Sequence, residues 1–462
     1  MIRSCGLLVL LLQIFNTLLL SFVNADTPAN CTYEDARGQW LFEVCDHENC
    51  PDKEKEQFVF ELLYPNLVNV IKGHGSSGVW TLISNQGFDV HVAHRKWLVM
   101  FDYGPDGESY CDRGRPGWTL DSLVRQKRWF TSHKLSPIRS RPHATPRRAF
   151  DSSRLDMLYR ADPAYIDKLN EVQHAWKAVK YPDFEKLTHR DLIRLAGGFN
   201  ANFPRPRELI NQSRPSRELL KAAADLPREF DWRFPGEGQP SPVTAVRNQG
   251  PCGSCYAFAS TGALEARIRL LSNFTRQPFL SPQDIVDCSP YSEGCHGGFA
   301  YLIGGKYAEV FGIPEEKCDP YTGVKADECP TKPDCPRYYA TNYRYIGGYY
   351  GACNELLMKL ELVHGGPFPI GFMVYDDFIH YRSGVYRHTQ LENTVHPFYP
   401  VESTNHAVLL VGYGVDKETN LPYWSVKNSW GRGWGEDGFF RILRGSNECG
   451  VEGVGVAFDP IL

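Results

Sequence analysis

Short apolar or alternating runs at Phe58 to Leu63, Val79 to Ile83, Phe88 to Val92 and Trp97 to Phe101 give residues 26–137 a strand-like period of two. Gly73 to Gly78 and Asn85-Gln-Gly punctuate these runs as turns, and the pattern predicts an antiparallel barrel or sandwich. Gly73-His-Gly-Ser-Ser-Gly has a nucleotide-binding spacing, but a strand follows where such a site needs a helix, so it reads as a turn. The period then lengthens, and Pro163 to Lys180 and Thr188 to Leu195 read as helical. His189-Arg-Asp-Leu is a helix start rather than a kinase loop, because position 196 is Ala where that loop needs Asn. Pro/Arg/Ser-rich stretches at 137–148 and 203–217 flank this helical segment as cleavable linkers.

The last region, from Leu226 to the C terminus, has two halves. Tyr256, Phe258, Ala259, Ala263, Leu264, Ile268 and Leu271 recur at helical spacing, so a buried helix starts near Cys255. Phe368 to Val374, His406 to Val411, Tyr423 to Lys427 and Gly438 to Leu443 read as strands. A helical half facing a β half, with a cleft between them, follows from that order. The fold class is α+β.

The 462 residues allow two or three domains, and the 42% hydrophobic content is that of a folded protein. A net charge of −4 gives no electrostatic footprint for nucleic acid. Residues 1–25 carry Arg3, an apolar run from Leu7 to Leu20 and Val23-Asn24-Ala25, the pattern of a signal peptide. The mature chain is then expected to begin at Asp26, with no membrane anchor once the signal is removed. Secretion permits disulfides. Leaving Cys5 aside, four cysteines precede Cys252 and nine lie from Cys252 onward, so at least one thiol of the second group is free if all bridges are internal to it. Asn30, Asn211 and Asn273 head glycosylation acceptors.

Asn248 to Ser260 reads NQGPCGSCYAFAS, with Cys255 at the foot of the helix. A nucleophilic cysteine needs its thiolate, which the free N–H groups and the positive dipole end of a helix stabilise. A zinc knuckle would need a second close Cys/His pair, and a redox pair would need a βαβ setting; neither companion is visible. Attack on an amide also needs a base. His406 begins the strand that runs to Val411, and Asn428, at the end of the next strand, has an amide oxygen that could hold the imidazole N–H. Trp430 and Trp434 could shield that bond. Gln249 and the Cys255 N–H are the expected oxyanion donors.

Cys252-Gly-Ser-Cys255-Tyr256 matches the C-G-[SA]-C-[WY] signature, and residues 226–462 resemble a papain-family cysteine peptidase. Gln249, Cys255, His406 and Asn428 fall on its oxyanion, nucleophile, base and orienting positions. Gly294-Cys-His-Gly-Gly298 resembles its segment for extended substrate backbone, implying substrate contacts at Gly297, Gly298 and Phe299. His406 and Asn428 lie 151 and 173 positions beyond Cys255, against roughly 130–150 expected. The surplus falls in residues 387–404, which could also be a processing site.

Asp26 to Tyr33, the β-rich N-terminal region and Phe299-Ala-Tyr301 resemble a dipeptide-releasing branch of this family. That resemblance implies a barrel-like exclusion domain at 26–137, a propeptide at 138–225 and a two-lobed peptidase domain at 226–462. It further implies that the Asp26 carboxylate receives the substrate's α-ammonium and that a chloride ion is held by Tyr301 and Tyr345. Bridges Cys31–Cys111, Cys252–Cys295, Cys288–Cys329 and Cys318–Cys335 carry over, with Cys353 and Cys449 unpaired and Cys45 available to Cys50. The activity implied is release of dipeptides from free N termini of peptides and proteins, in the lysosome, by a homotetramer of processed chains. An ordinary endopeptidase and an inactive secreted binding protein are the competing expectations.

Overall fold

The computed structural model describes residues 27, 29–48, 51–142, 155–197, 216–331, 334–391 and 405–462. Asp26, Cys50, Asn211, and the expected signal peptide and cut near 387–404 lie wholly or largely outside them. No described helix is long and apolar enough to cross a membrane.

Eight antiparallel strands close into a barrel: β1 (Gly38–Cys45), β2 (Glu56–Leu63), β3 (Leu67–Lys72), β4 (Ser77–Ile83), β5 (Gly87–Val92), β6 (Arg95–Tyr103), β7 (Ser109–Asp121) and β8 (Lys127–Lys134). Alternation sends Trp40, Phe42 and Val44 of β1 and Phe58, Phe60 and Leu62 of β2 inward. Phe42 and Phe60 meet at 5.2 Å, and Phe60 meets Trp97 edge-on at 4.9 Å, so large aromatics fill the small lumen. Closure leaves no free sheet edge to aggregate. The Cys31–Cys111 bridge ties the N-terminal segment to β7. Strand β7 is hard to read from periodicity because Gly114, Pro116 and Gly117 interrupt it at a register shift.

Helix α1 (Pro163–Val172) is shorter than the sequence pattern suggests, ending eight residues before Lys180. Trp176–Ala178 instead forms strand β9, because pairing with the strand Tyr381–Tyr386 buries Trp176 and Ala178. Helix α2 (His189–Leu195) starts at a capping box in which Thr188 and Asp191 exchange hydrogen bonds. Helix α3 spans Arg217–Ala224 and helix α4 Cys255–Leu271. The remaining strands are β10 (Phe230–Asp231), β11 (Ile313–Pro314), β12 (Arg337–Tyr345), β13 (Phe368–Met373), β14 (Tyr381–Tyr386), β15 (Asn405–Val415), β16 (Pro422–Lys427), β17 (Phe439–Leu443) and β18 (Val456–Ile461). One sheet runs β10-β15-β16-β17-β14-β9 with β13 on β15, and a smaller one runs β11-β12-β18.

Two cores result. The barrel shares one with the helical half, including Tyr256, Leu264, Tyr301 and Tyr345. Residues 155–196 share the other with the β half, where Leu169, Trp176 and Leu195 pack with Phe378, Tyr381 and Trp430. Cys252–Cys295, Cys288–Cys329 and Cys318–Cys335 are bonded, Cys45 is also in a disulfide, and Cys255, Cys353 and Cys449 are free thiols.

Candidate active site

The foot of α4 and the start of β15 meet at the Cys255 sulfur. Sγ accepts the Ala407 N–H at 3.4 Å, which puts the residue after His406 against the thiol. Backbone N–H groups of Ala407, Tyr256 and Cys255 all favour the thiolate, yet burial outweighs them and pushes the thiol up to about 11. His406 is fully buried, and its imidazole is pushed down to about 4, chiefly by desolvation, against which the bond to Asn428 works in the other direction. As covered in this structure, burial favours the uncharged form of both groups.

His406 Nε2 lies 2.7 Å from Asn428 Oδ1. That amide oxygen also accepts the Ser429 N–H at 2.8 Å, which settles the orientation of the amide and makes Nε2 the protonated nitrogen. Nδ1 is left as the lone-pair nitrogen, and it has no hydrogen-bond partner. Trp430 packs on the imidazole at 5.1 Å with Trp434 behind it at 4.8 Å, so the Asn428 contact is dry.

Gln249 is positioned from both ends. Its Oε1 accepts from the Ser429 hydroxyl at 2.5 Å, while Nε2 donates to the Cys252 carbonyl at 2.8 Å. The same Nε2 donates at 3.3 Å to the Leu195 carbonyl, which also accepts the Trp430 indole N–H at 3.0 Å. The end of α2 thus brings a backbone carbonyl onto the expected oxyanion donor. A Cβ built on Gly253 would lie 3.4 Å from the Arg194 carbonyl, and one on Gly297 would lie 3.4 Å from the Gly197 carbonyl. Residues 194–197 therefore run along the cleft floor. Leu195, Ser429 and the Ala407 N–H carry no motif, which is why sequence reasoning passes over them.

Gly298 and Phe299 line a cavity with His406, Ala407 and Tyr345, into whose wall the barrel inserts Ser84. A Cβ on Gly298 would press the Tyr256 ring at 2.8 Å, which accounts for glycine there. Tyr301 stacks on Tyr345 at 4.4 Å, but its hydroxyl donates to Asp89 Oδ2 at 3.2 Å. A hydroxyl has one proton, so while it donates to Asp89 the Tyr301 hydroxyl is not available to an anion. Asn273 is exposed, whereas Asn30 is half-buried and its amide oxygen accepts from Asn85 at 3.2 Å.

Two family models match: papain family cysteine protease over residues 226–457 and cathepsin C exclusion domain over residues 26–134. A cathepsin C of Schistosoma mansoni is 52% identical over 96% of this chain and 97% of its own length. Pro-cathepsin H of Bos taurus is 36% identical over 52% of this chain and 67% of its own. Among solved structures, procathepsin B S9 of Trypanosoma congolense aligns with a TM-score of 0.53 at 27% identity, over 65% of this chain and 99% of that one. A procathepsin L2 proteinase of Tenebrio molitor aligns with a TM-score of 0.51 at 31% identity, over 65% of this chain and 88% of that one. The chain belongs to the papain family of cysteine proteases and is a cathepsin C homologue, joining that family's peptidase domain to a cathepsin C exclusion domain.

Proposed function

We propose that this chain, once residues 155–197 leave the cleft, is a cysteine exopeptidase that releases dipeptides from the free N termini of peptides and proteins. The observation that carries the reading is the barrel's Ser84 in the wall of the cavity that also holds His406, so the barrel bounds the cleft. The N-terminal segment follows the same barrel turn: Thr27 N–H donates to Gln86 at 3.3 Å and Cys31 N–H to the Asn85 carbonyl at 2.8 Å. Such a course supports Asp26, the residue before Thr27, as the carboxylate that meets the substrate's α-ammonium.

In this reading, opening the cleft to water and substrate removes the burial that keeps Cys255 and His406 neutral. Nδ1 of His406 takes the thiol proton, and Asn428 stabilises the imidazolium through Nε2–H. Sulfur attacks the carbonyl carbon, and the Gln249 amide with the Cys255 N–H receives the oxyanion. The imidazolium protonates the leaving amine, and the same ring then activates the water that hydrolyses the thioester. No step is assigned to chloride, since Tyr301 would have to exchange Asp89 for the ion. A homotetramer of processed chains, a lysosomal location, and glycans on Asn30, Asn211 and Asn273 belong to the same proposal.

The test compares one peptide with a free and an acetylated N terminus on the processed enzyme. Selective cleavage of the free form, two residues in, supports it. Equal rates would make the enzyme an endopeptidase with an accessory barrel, and full turnover by Cys255→Ala would remove the catalytic assignment.

A further inference from the structure

Ser254 is the N-cap of α4, a position from which a serine oxygen ordinarily accepts an N–H of the first turn, yet its side chain makes no capping bond. Its hydroxyl lies instead 2.6 Å from the hydroxyl of Tyr321, 67 positions along the chain. The Tyr321 hydroxyl is in turn 2.7 Å from the Gln249 carbonyl. A carbonyl only accepts, so Tyr321 gives its one proton to Gln249 and accepts from Ser254. The direction of the relay is therefore fixed, from Ser254 through Tyr321 to Gln249. Burial pushes the Tyr321 hydroxyl up to about 12, against the pull of the Ser254 bond, so it remains a donor in neutral and acidic solution.

Tyr321 sits on a braced loop. Its ring meets Phe258 of α4 edge-on at 4.7 Å, and its N–H donates to Glu316 Oε1 at 2.9 Å. Gln283 Oε1 accepts the Thr322 and Gly323 N–H groups at 2.9 Å and 3.2 Å, and the Cys318–Cys335 bridge closes the same stretch. Glu316 also accepts from Arg247 at 3.3 Å, so the loop grips the segment that carries Gln249 at two points. Ser254 directly precedes Cys255. The Tyr321 hydroxyl thus joins the two segments that supply the proposed oxyanion donors, the Gln249 amide and the Cys255 N–H.

We infer that Tyr321 is a positioning residue for peptide cleavage, its hydroxyl setting the spacing between the Gln249 segment and the foot of α4. It acts through Gln249 and Ser254, not on the reacting atoms. Oxyanion donors work by being in place before the charge arrives, so loss of this tie weakens the transition state more than the bound substrate. The inference rests on the proposed oxyanion role of Gln249 and deepens it.

Tyr321→Phe keeps the ring on Phe258 and removes only the hydroxyl. In the processed enzyme, on an unblocked peptide, it is expected to lower kcat about tenfold with KM changed by less than about twofold. In a Gln249→Ala background the same substitution is expected to cost less than about twofold in kcat, because the donor it places is gone. A tyrosine that serves the fold alone would give equal losses in both backgrounds. Equal losses, or an unchanged kcat in Tyr321→Phe, overturn the inference. Gln249→Ala by itself tests the role beneath it: an unchanged kcat there removes the oxyanion assignment and Tyr321 with it, whereas a lowered kcat beside an inert Tyr321→Phe removes Tyr321 alone. Should Tyr321→Phe not fold, Ser254→Ala decides, since it breaks the tie at its other end. Its kcat is expected to fall about threefold, and an unchanged kcat overturns the inference.

Discussion

Gln249 Nε2 donates to the Leu195 carbonyl at 3.3 Å as well as to the Cys252 carbonyl at 2.8 Å. In the proposed mechanism this amide serves the transition state, so the chain's own Leu195 carbonyl and the substrate would compete for it. Gln249→Ala in the processed enzyme is expected to lower kcat by about 10²–10³-fold with little change in KM, the loss typical of one oxyanion donor. Gln249→Glu should do the same, because a carboxylate repels the oxyanion. Steady-state kinetics on the processed variants checks both, and an unchanged kcat removes Gln249 from the oxyanion site.

Asn428 acts on His406 through one bond of 2.7 Å in a dry setting. Asn428→Ala should leave the fold intact yet free the imidazole to adopt either tautomer, so kcat falls while KM holds. The pH–rate profile separates positioning from mere packing. Losing the acceptor for Nε2–H removes stabilisation of the imidazolium, so the alkaline limb should move to lower pH; an unmoved limb leaves Asn428 a structural residue.

The sequence marks the chemistry more clearly than the coverage of the site. Cys255, His406 and Asn428 are legible because each sits at the end of a periodic element beside a short motif. Strand β9 is not legible: Trp176–Ala178 continues a helical pattern and becomes a strand only because β14 offers an edge to it. The Leu195 carbonyl is invisible for a related reason, since a backbone atom leaves no compositional trace. Likewise the Tyr301 hydroxyl reads as a free anion donor until the barrel's Asp89, 212 positions away, is found to accept from it.

The Cys31–Cys111 bridge closes a loop spanning 80 positions. Chain-entropy arguments give such a loop about 4–5 kcal/mol of stabilisation, with native strain working against it. Paired Cys31→Ala and Cys111→Ala substitutions should therefore lower the barrel's melting transition. They should also raise KM for unblocked peptides, since the bridge anchors the segment that leads to Asp26. Calorimetry and kinetics read the two effects separately, and an unaltered KM with a lowered transition would unlink the bridge from substrate recognition.

His380 and Asp89 both lose their contribution in acid, but over different pH ranges. His380 is buried under residues 155–197, with Nδ1 at 3.1 Å from the Val179 carbonyl and Nε2 at 3.2 Å from the Tyr159 hydroxyl. Burial pushes its imidazole down to about 4, although Val179, Asp377 and Asp162 pull the other way. A depressed imidazole binds fewer protons docked than undocked, so its contribution is complete above about pH 6.5 and is lost as pH falls toward 4. The full shift is worth roughly 3 kcal/mol. Asp89 holds the barrel through Tyr301 and Tyr343, and His91, then Lys306 and Lys96, keep its carboxyl below the usual range in spite of its burial. Its contribution is present above about pH 3.9 and fails only below that. Near pH 5 the contact of residues 155–197 is therefore weakened while the barrel contact stands. Hydrogen exchange at pH 5 and pH 7 should show residues 159–181 losing protection in acid and β5 keeping it. His380→Gln should flatten the first response. Asp89→Ala, which strands the buried Tyr301 and Tyr343 hydroxyls, should loosen the barrel at both pH values and let the enzyme cut acetylated peptides. Equal acid response in the His380→Gln protein would place the switch on another group.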